Sequence, residues 1–513
     1  MYLQSLRDDD LHRIVDAAMT ILDTVGIWFT KAPDVVEFLA SKGARVEGDR
    51  VFFPRKLIED CLAALPDREG LVFGDPSLGY GAEVSMGRGQ SHFAVNGNAA
   101  SVHDYTTGVI RPAIEADVDD KLLITDHLSH IASDPCDMIF GCVEAVNAMT
   151  SVTLRTPGEQ DGFMRRWLAG RAGATGKPLT ANVRNYSPDQ ARLAMFAAVI
   201  KLGPDVIGTH LGLWEQYMWI NPISPLQYHP DQARVLLSLR DTAGPCKMVL
   251  LCPEVMLGAT SPVTLAGALA QHTAEVLAGM AIVQLARPGI PTMFACVSAP
   301  MDLRNAEVNH GGFETALFNA ACVQLADHFG MPSRICPGNT SEKVPNTRAA
   351  VETAVGVCMG LAAGGNIIMT ALLDSTLSMS YEHLIVTDEI IAQMQNINSP
   401  IATDAESLAM DVIAEHGHPS ASYVTSDHTL RNMNRDIYYS DFTGRVESSY
   451  EEWYDKAHRK VNAIFASRND CLTDPALLDR LASVEARLAE QPDAWLTGRI
   501  QDDWWRFYVQ DFA

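Results

Sequence analysis

The 513-residue chain is short of basic charge: 39 lysines and arginines stand against 63 aspartates and glutamates, for a formal charge of −24. That balance argues against nucleic acid or an anionic membrane surface as partner, and it favours cationic ligands or basic protein surfaces. No stretch is long, apolar and free enough of Gly, Pro and polar residues to read as a membrane span. Met1 to Asp10 is polar and acidic, without the basic start and apolar run of a secretory leader. The ten cysteines, at positions 61, 136, 142, 246, 252, 296, 322, 336, 358 and 471, form no C-x-x-C pair and mostly sit inside apolar segments. A reducing cytoplasm and buried thiols are expected. Metal signals are as thin. His127 and His130, on a predicted helix, have no carboxylate or third histidine at ligand spacing, and His416 and His418 belong to a turn, so no metal is expected. The chain also lacks a P-loop, a dinucleotide fingerprint and G-x-S-x-G.

What is present is a large apolar fraction, 47%, enough for a sizeable core, arranged in a repeating strand and helix rhythm. The stretch from Cys252 to Cys336 sets the pattern. A buried strand at 247–253 feeds a Gly/Pro loop and a long alanine-rich helix at 264–287, closed by Arg287-Pro288-Gly289; a second apolar strand at 291–297, another loop and another long helix follow. Such a unit implies parallel strands covered by helices. Candidate strands are 138–146, 178–184, 205–211, 216–221, 247–253, 291–297, 333–337 and 366–373, with helices at 158–172, 188–202, 230–243, 264–287, 312–330 and 346–363. No helix fits between 205–211 and 216–221, so one of that pair is a loop if the rhythm holds. The fold class expected is α/β, a (β/α)8 TIM barrel with helical N-terminal and C-terminal extensions. Residues 1–70 form the N-terminal helical module with a small hairpin. Residues 71–415 form the barrel, its glycine-rich start at 71–112 read as short antiparallel strands serving as a lid or plug. Residues 416–513 form the C-terminal helical extension.

In a parallel barrel, functional groups gather at the C-terminal ends of the strands. The polar residues at those ends include Asn147, Asn182, Asn221, Glu254, Ser298, Asn339 and Asp374. Each alone is ordinarily a hydrogen-bonded loop residue; their sharing of one face lifts them together. Trp214, Tyr217, Trp219 and Tyr228 cluster where the barrel opens. Their faces suit a quaternary ammonium, at about 0.5–2 kcal/mol each, although a helix cap or a dimer patch accounts for them as well.

Long ordered motifs carry a resemblance. INPISPLQYHPDQA (220–233), LGATSPVTLAGALAQHTAEVLAG (257–279), QLARPGIPTMFA (284–295), GNTSEKVPNTRAAVETAVGVCMGLAAGGNIIM (338–369) and LSMSYEHLIVTDEII (377–391) resemble the trimethylamine methyltransferase superfamily. So do residues 11–66 and 417–430. The resemblance implies a barrel that moves a methyl group from a methylated amine to the Co(I) corrinoid (cobalamin) of a separate small protein, with no tightly bound cofactor of its own. Trimethylamine members carry pyrrolysine, and none occurs among these residues. Its absence points to a quaternary amine, glycine betaine first, giving dimethylglycine. Another betaine, carnitine, a tertiary methylamine, or a barrel that binds betaine without catalysis are the alternatives. Displacement from a quaternary ammonium releases a neutral amine and needs no general acid, in keeping with the lack of a convincing nucleophile and base pair. Trp214, Tyr217, Trp219 and Glu254 are expected around the ammonium, with Glu254 and Asn182 orienting it. Asn147, Asn182, Asn221 and His383 are expected at the carboxylate, and Asn339 at the mouth. A homo-oligomer is expected, and the acidic surface is expected to meet a basic patch on the corrinoid protein.

Overall fold

The computed structural model describes residues 3–75, 80–96, 99–133, 218–240, 248–395, 397, 400–440, 442 and 452–467. Seven short strands form one wholly parallel sheet: β1 (His92–Val95), β2 (Ile131–Ser133), β3 (Met218–Ile220), β4 (Val249–Leu251), β5 (Thr292–Ala295), β6 (Ser333–Gly338) and β7 (Ile367–Thr370). Their order in space is β3-β4-β5-β6-β7-β1-β2. The last strand in sequence therefore lies beside the first, and the described sheet ends at β2 and β3. Residues 134–217, between those two ends in sequence, lie outside the described residues, and with them the expected strands at 138–146, 178–184 and 205–211. The five expected strands from 216–221 onward are all present. Two others were not expected. The glycine-rich region does supply antiparallel pairs, Val72–Asp75 with Tyr80–Ser85 and Ser101–Asp104 with Val109–Pro112, but it also supplies β1 to the parallel sheet. The segment is thus part of the sheet and more than a lid.

Side chains alternate across the sheet as period-two geometry requires. Ala94, Leu250, Met293, Ala295, Cys336, Ile367 and Met369 form one apolar cluster on its inner face. Their neighbours Phe93, Val95, Val249, Leu251, Phe294, Ile335 and Ile368 join the much larger core beneath the helices. Burial on both faces explains why these strands read as continuous apolar runs.

The N-terminal helices α1 (Asp8–Thr20), α2 (Pro33–Ser41) and α3 (Arg55–Ala63) frame the short hairpin Arg45–Glu47/Arg50–Phe52. Helix α4 (Glu115–Asp126) stops before His127, so His127 and His130 do not share a helix face, and His130 instead bonds Asp388. Crossovers follow, α5 (Pro230–Ser238), α6 (Leu265–Ala286), α7 (Phe313–His328) and α8 (Thr347–Ala363), and α9 (Tyr381–Met394) comes after β7, the last strand of the sheet in sequence. Helices α1 and α3 pack on α6, and α10 (Trp453–Ala466) packs on α9 and α4. The segment expected as one helix at 404–414 breaks at Ala409 (φ 49°) into Ala405–Leu408 and Met410–His416. Among the described residues no helix is long and apolar enough to cross a membrane.

Helix α8 shows how closely the layers approach. Asn346 caps its start by accepting from the Ala349 N–H, and left-handed Gly364 (φ 80°) ends it. Midway, a Cβ on Gly356 would lie 1.7 Å from the Pro337 carbonyl oxygen of β6, a backbone atom that cannot rotate aside. Gly356→Ala should therefore force helix and strand apart and destabilise the fold by roughly 1–3 kcal/mol or more. Urea unfolding checks this, and an unchanged midpoint would contradict the packing described.

Candidate functional site at the concave face of the sheet

Arg334 stands second in β6, in register with inward-facing Ala295 and Ile367, and is 1% exposed. Burying a guanidinium is expensive unless its N–H groups are met. One terminal nitrogen donates to Cys252 Sγ (3.6 Å) and the Cys296 carbonyl (3.4 Å), and the other to Asn96 Oδ1 (3.3 Å). Asn96 in turn donates through Nδ2 to Cys336 Sγ at 3.4 Å. These contacts also report the shape of the sheet. Cys252 follows β4 and Asn96 follows β1, four strand spacings apart, which is about 19 Å in a flat sheet. One guanidinium reaches both, so the sheet curls strongly around it, with Arg334 on the concave side.

Three loops close over this face. Asn309, His310 and Gly311 come from the β5–α7 connection, Thr340 and Ser341 from the loop after β6, and Asp374 and Ser375 from the turn after β7. Ser341 Oγ donates to Asn309 Oδ1 (2.8 Å) and accepts from the Gly311 N–H (2.9 Å). Glu352 of α8 accepts from Thr340 Oγ1 (2.5 Å) and the Ser341 N–H (3.0 Å). A Cβ on Gly311 would lie 1.9 Å from the same Glu352 carboxylate, which is why glycine stands there. Ser375 Oγ donates to the Val308 carbonyl (2.5 Å) and accepts from the His310 N–H (3.4 Å). The His310 ring is 3% exposed and near enough to Arg334 to feel its charge, and its Nδ1 has no hydrogen-bond partner among the described residues. Burial, and then the nearby Arg334 charge, push the imidazole down to about 4, so it is neutral near pH 7.

Asn339, fully buried just after β6, staples two strand ends. Its Oδ1 accepts from the Leu372 N–H (3.2 Å), and its Nδ2 donates to the Cys336 carbonyl (3.5 Å). Asn221 follows β3 and is buried, while Glu254 follows β4 and is half-buried. Trp219 lies in β3 in register with Leu250. Asn221, Glu254 and Asn339 thus follow the C-terminal ends of their strands, as Cys252 and Asn96 do, while Trp219 stands within β3. His383 is elsewhere. Its fully buried ring sits between helices, with Nε2 at 3.1 Å from Thr353 Oγ1 and Nδ1 at 2.9 Å from Tyr454 Oη, and burial pushes it down to about 3. Both nitrogens are committed to joining α8, α9 and α10. Asn147, Asn182, Trp214 and Tyr217 lie outside the described residues.

Arg334, His310 and Asn96 were not expected at the site. Arg334 had a readable signal, a lone charge inside an otherwise apolar strand, SRIC. His310 had a weaker one, a histidine directly before Gly-Gly and a helix start. On the helix side of the sheet, His272, Cys296 and Cys322 bring their ligand atoms within 4.8 Å of one another. Both His272 nitrogens are engaged there, by Ser298 Oγ (3.0 Å) and the Ala295 carbonyl (3.1 Å).

The loop after β3 is held from behind by Glu275 of α6, which is fully buried. Its carboxylate accepts from Ser224 Oγ (2.7 Å), the Leu226 N–H (2.8 Å) and Gln271 Nε2 (2.9 Å). Burial nevertheless dominates and pushes the carboxyl up to about 7. A carboxyl raised on folding stabilises fully below its unfolded pKa near 4.5 and loses that contribution as pH rises through 7. Relative to Glu275→Gln, the wild-type protein should lose up to about 3 kcal/mol between pH 5 and pH 8. Urea midpoints of both proteins at the two pH values check this; a constant difference would contradict it.

The family described as Trimethylamine methyltransferase (MTTB) matches residues 1–149 and 194–475. A glycine betaine methyltransferase of Desulfitobacterium hafniense (strain Y51) is 27% identical over 95% of this chain and 97% of its own length. Trimethylamine methyltransferase MttB of Desulfitobacterium hafniense (strain DSM 10664 / DCB-2) is 25% identical over 84% of this chain and 82% of its own. The solved monomethylamine methyltransferase of Methanosarcina barkeri is 12% identical, with a TM-score of 0.42 over 89% of this chain and 94% of that one. With the family matched across most of its length, this chain belongs to the trimethylamine methyltransferase family and is a methyltransferase.

Proposed function

We propose that this methyltransferase takes a methyl group from glycine betaine and delivers it to the Co(I) corrinoid of a partner protein, releasing dimethylglycine. The observation that carries the reading is the Arg334 guanidinium buried in the concave face. Near such a cation a bare amine cation at about 6 Å would be repelled by roughly 3 kcal/mol at an effective dielectric of 20, whereas a carboxylate at about 4 Å gains roughly 4 kcal/mol. A substrate bearing both charges turns the first effect into the second. Its carboxylate lies toward Arg334, and its ammonium toward half-buried Glu254, Trp219 and the aromatic residues Trp214 and Tyr217. Asn147, Asn182, Asn221 and Asn339 complete the mouth.

The reaction needs little else from the chain. As the N–CH3 bond breaks, its electron pair stays on nitrogen as a neutral amine, and the acceptor supplies the pair for the new bond to carbon, so no proton moves. A neutral His310 fits that balance. What the residues supply is orientation and exclusion of water. The scaffold we propose for this is a (β/α)8 barrel, and β7 lying beside β1 supports its closure.

The test is to add glycine betaine or trimethylamine separately to the purified protein with reduced cobalamin or its corrinoid protein, following the Co(I) absorbance. Methylcobalamin and dimethylglycine should form with betaine. Turnover of trimethylamine with none of betaine would overturn the reading.

A further inference from the structure

We infer that His310 is a specificity-determining residue, giving a hydrogen bond to the carboxylate of the methyl donor beside Arg334, and that the turn Asp374–Thr376 exists to hold it there. The assignment rests on the betaine reading above. It starts from an unusual buried group: a polar ring within reach of the Arg334 charge, 3% exposed, whose Nδ1 meets no hydrogen-bond partner among the described residues. Leaving such an atom unmatched is costly, and groups of this kind in native proteins generally have a role. A neutral imidazole carries one N–H and can donate it to an anion, while its lack of charge spares the substrate's ammonium a second repulsion.

The loops around His310 carry a second observation. Asp374, Ser375 and Thr376 have φ of 48°, 50° and 81°, three consecutive left-handed residues, none of them glycine. Such conformations are unfavourable by about 1–2 kcal/mol each and persist only where surrounding contacts impose them. Those contacts are present. The Asp374 N–H donates to the Glu342 carbonyl (2.7 Å) and the Ser375 N–H to the Thr340 carbonyl (2.9 Å), locking the turn onto the loop after β6. The turn then presents Ser375 Oγ to both sides of His310, through Val308 and through the His310 N–H itself. An ordinary turn would put that hydroxyl elsewhere. Ser375 is therefore a positioning residue, acting on the substrate only through His310.

The full-length protein would be titrated calorimetrically with glycine betaine and with tetramethylammonium, which has the same cationic head and no carboxylate. His310→Ala should weaken betaine binding about ten- to a hundredfold, the range for one hydrogen bond to a charged group, and leave tetramethylammonium unchanged. His310→Gln, which restores a donor, should recover part of the loss. Ser375→Ala should shift the betaine to tetramethylammonium ratio in the same direction by a few fold, with the circular dichroism spectrum unaltered. Undiminished betaine affinity in His310→Ala would overturn the assignment alone. A wild-type protein that does not bind betaine would overturn the substrate reading and this assignment with it.

Discussion

A guanidinium buried on the inside of a curved parallel sheet sets the terms for the rest of the molecule. Arg334 can be there because its two terminal nitrogens find acceptors in two directions, from groups beyond β4 and beyond β1. That requirement ties the chemistry of the site to the curvature of the fold. If the sheet flattened, Asn96 and Cys252 would separate and leave a charged group unsatisfied in an apolar interior, at several kcal/mol. Curvature and charge therefore support each other, and in the proposed function that charge is what would meet the carboxylate of a small zwitterion.

Around that centre the layers are packed for closeness. The helices on the outer face carry small residues where they touch the strands, and Gly356 rests almost on the backbone of β6. The loops at the strand ends are laced to one another rather than left to solvent. Glu352, Ser341 and Ser375 connect three of them, and Glu275 fixes a fourth from behind. Orientation is what a displacement at carbon demands of a protein, and a rim bonded in this way supplies it.

The apolar strands and long alanine-rich helices from 247 to 394 were legible because their alternating rhythm and their Gly/Pro stops are strong. β1 was not, because it is set among glycines and turn-forming residues, and β2 was not, because no long apolar run marks it. Reading polar residues at strand ends singled out Asn221, Glu254 and Asn339, which do follow strands, but passed over Arg334. Its Cα lies early in β6, and only the length of its side chain brings the charge to the strand ends. His310 depends on contacts among three loops, which no local pattern encodes. His383 illustrates the reverse error: it stands in a distinctive motif, yet its surroundings make it a bridge between helices.

The most direct test of this account is the affinity of an Arg334→Met protein for glycine betaine and for tetramethylammonium, measured alongside wild type with folding verified by circular dichroism. Removing the guanidinium while keeping an unbranched side chain should reduce betaine affinity by about a hundredfold or more, and leave tetramethylammonium binding equal or stronger. Equal loss for both ligands, or no loss for betaine, would contradict the claim that this buried charge recognises the donor's carboxylate.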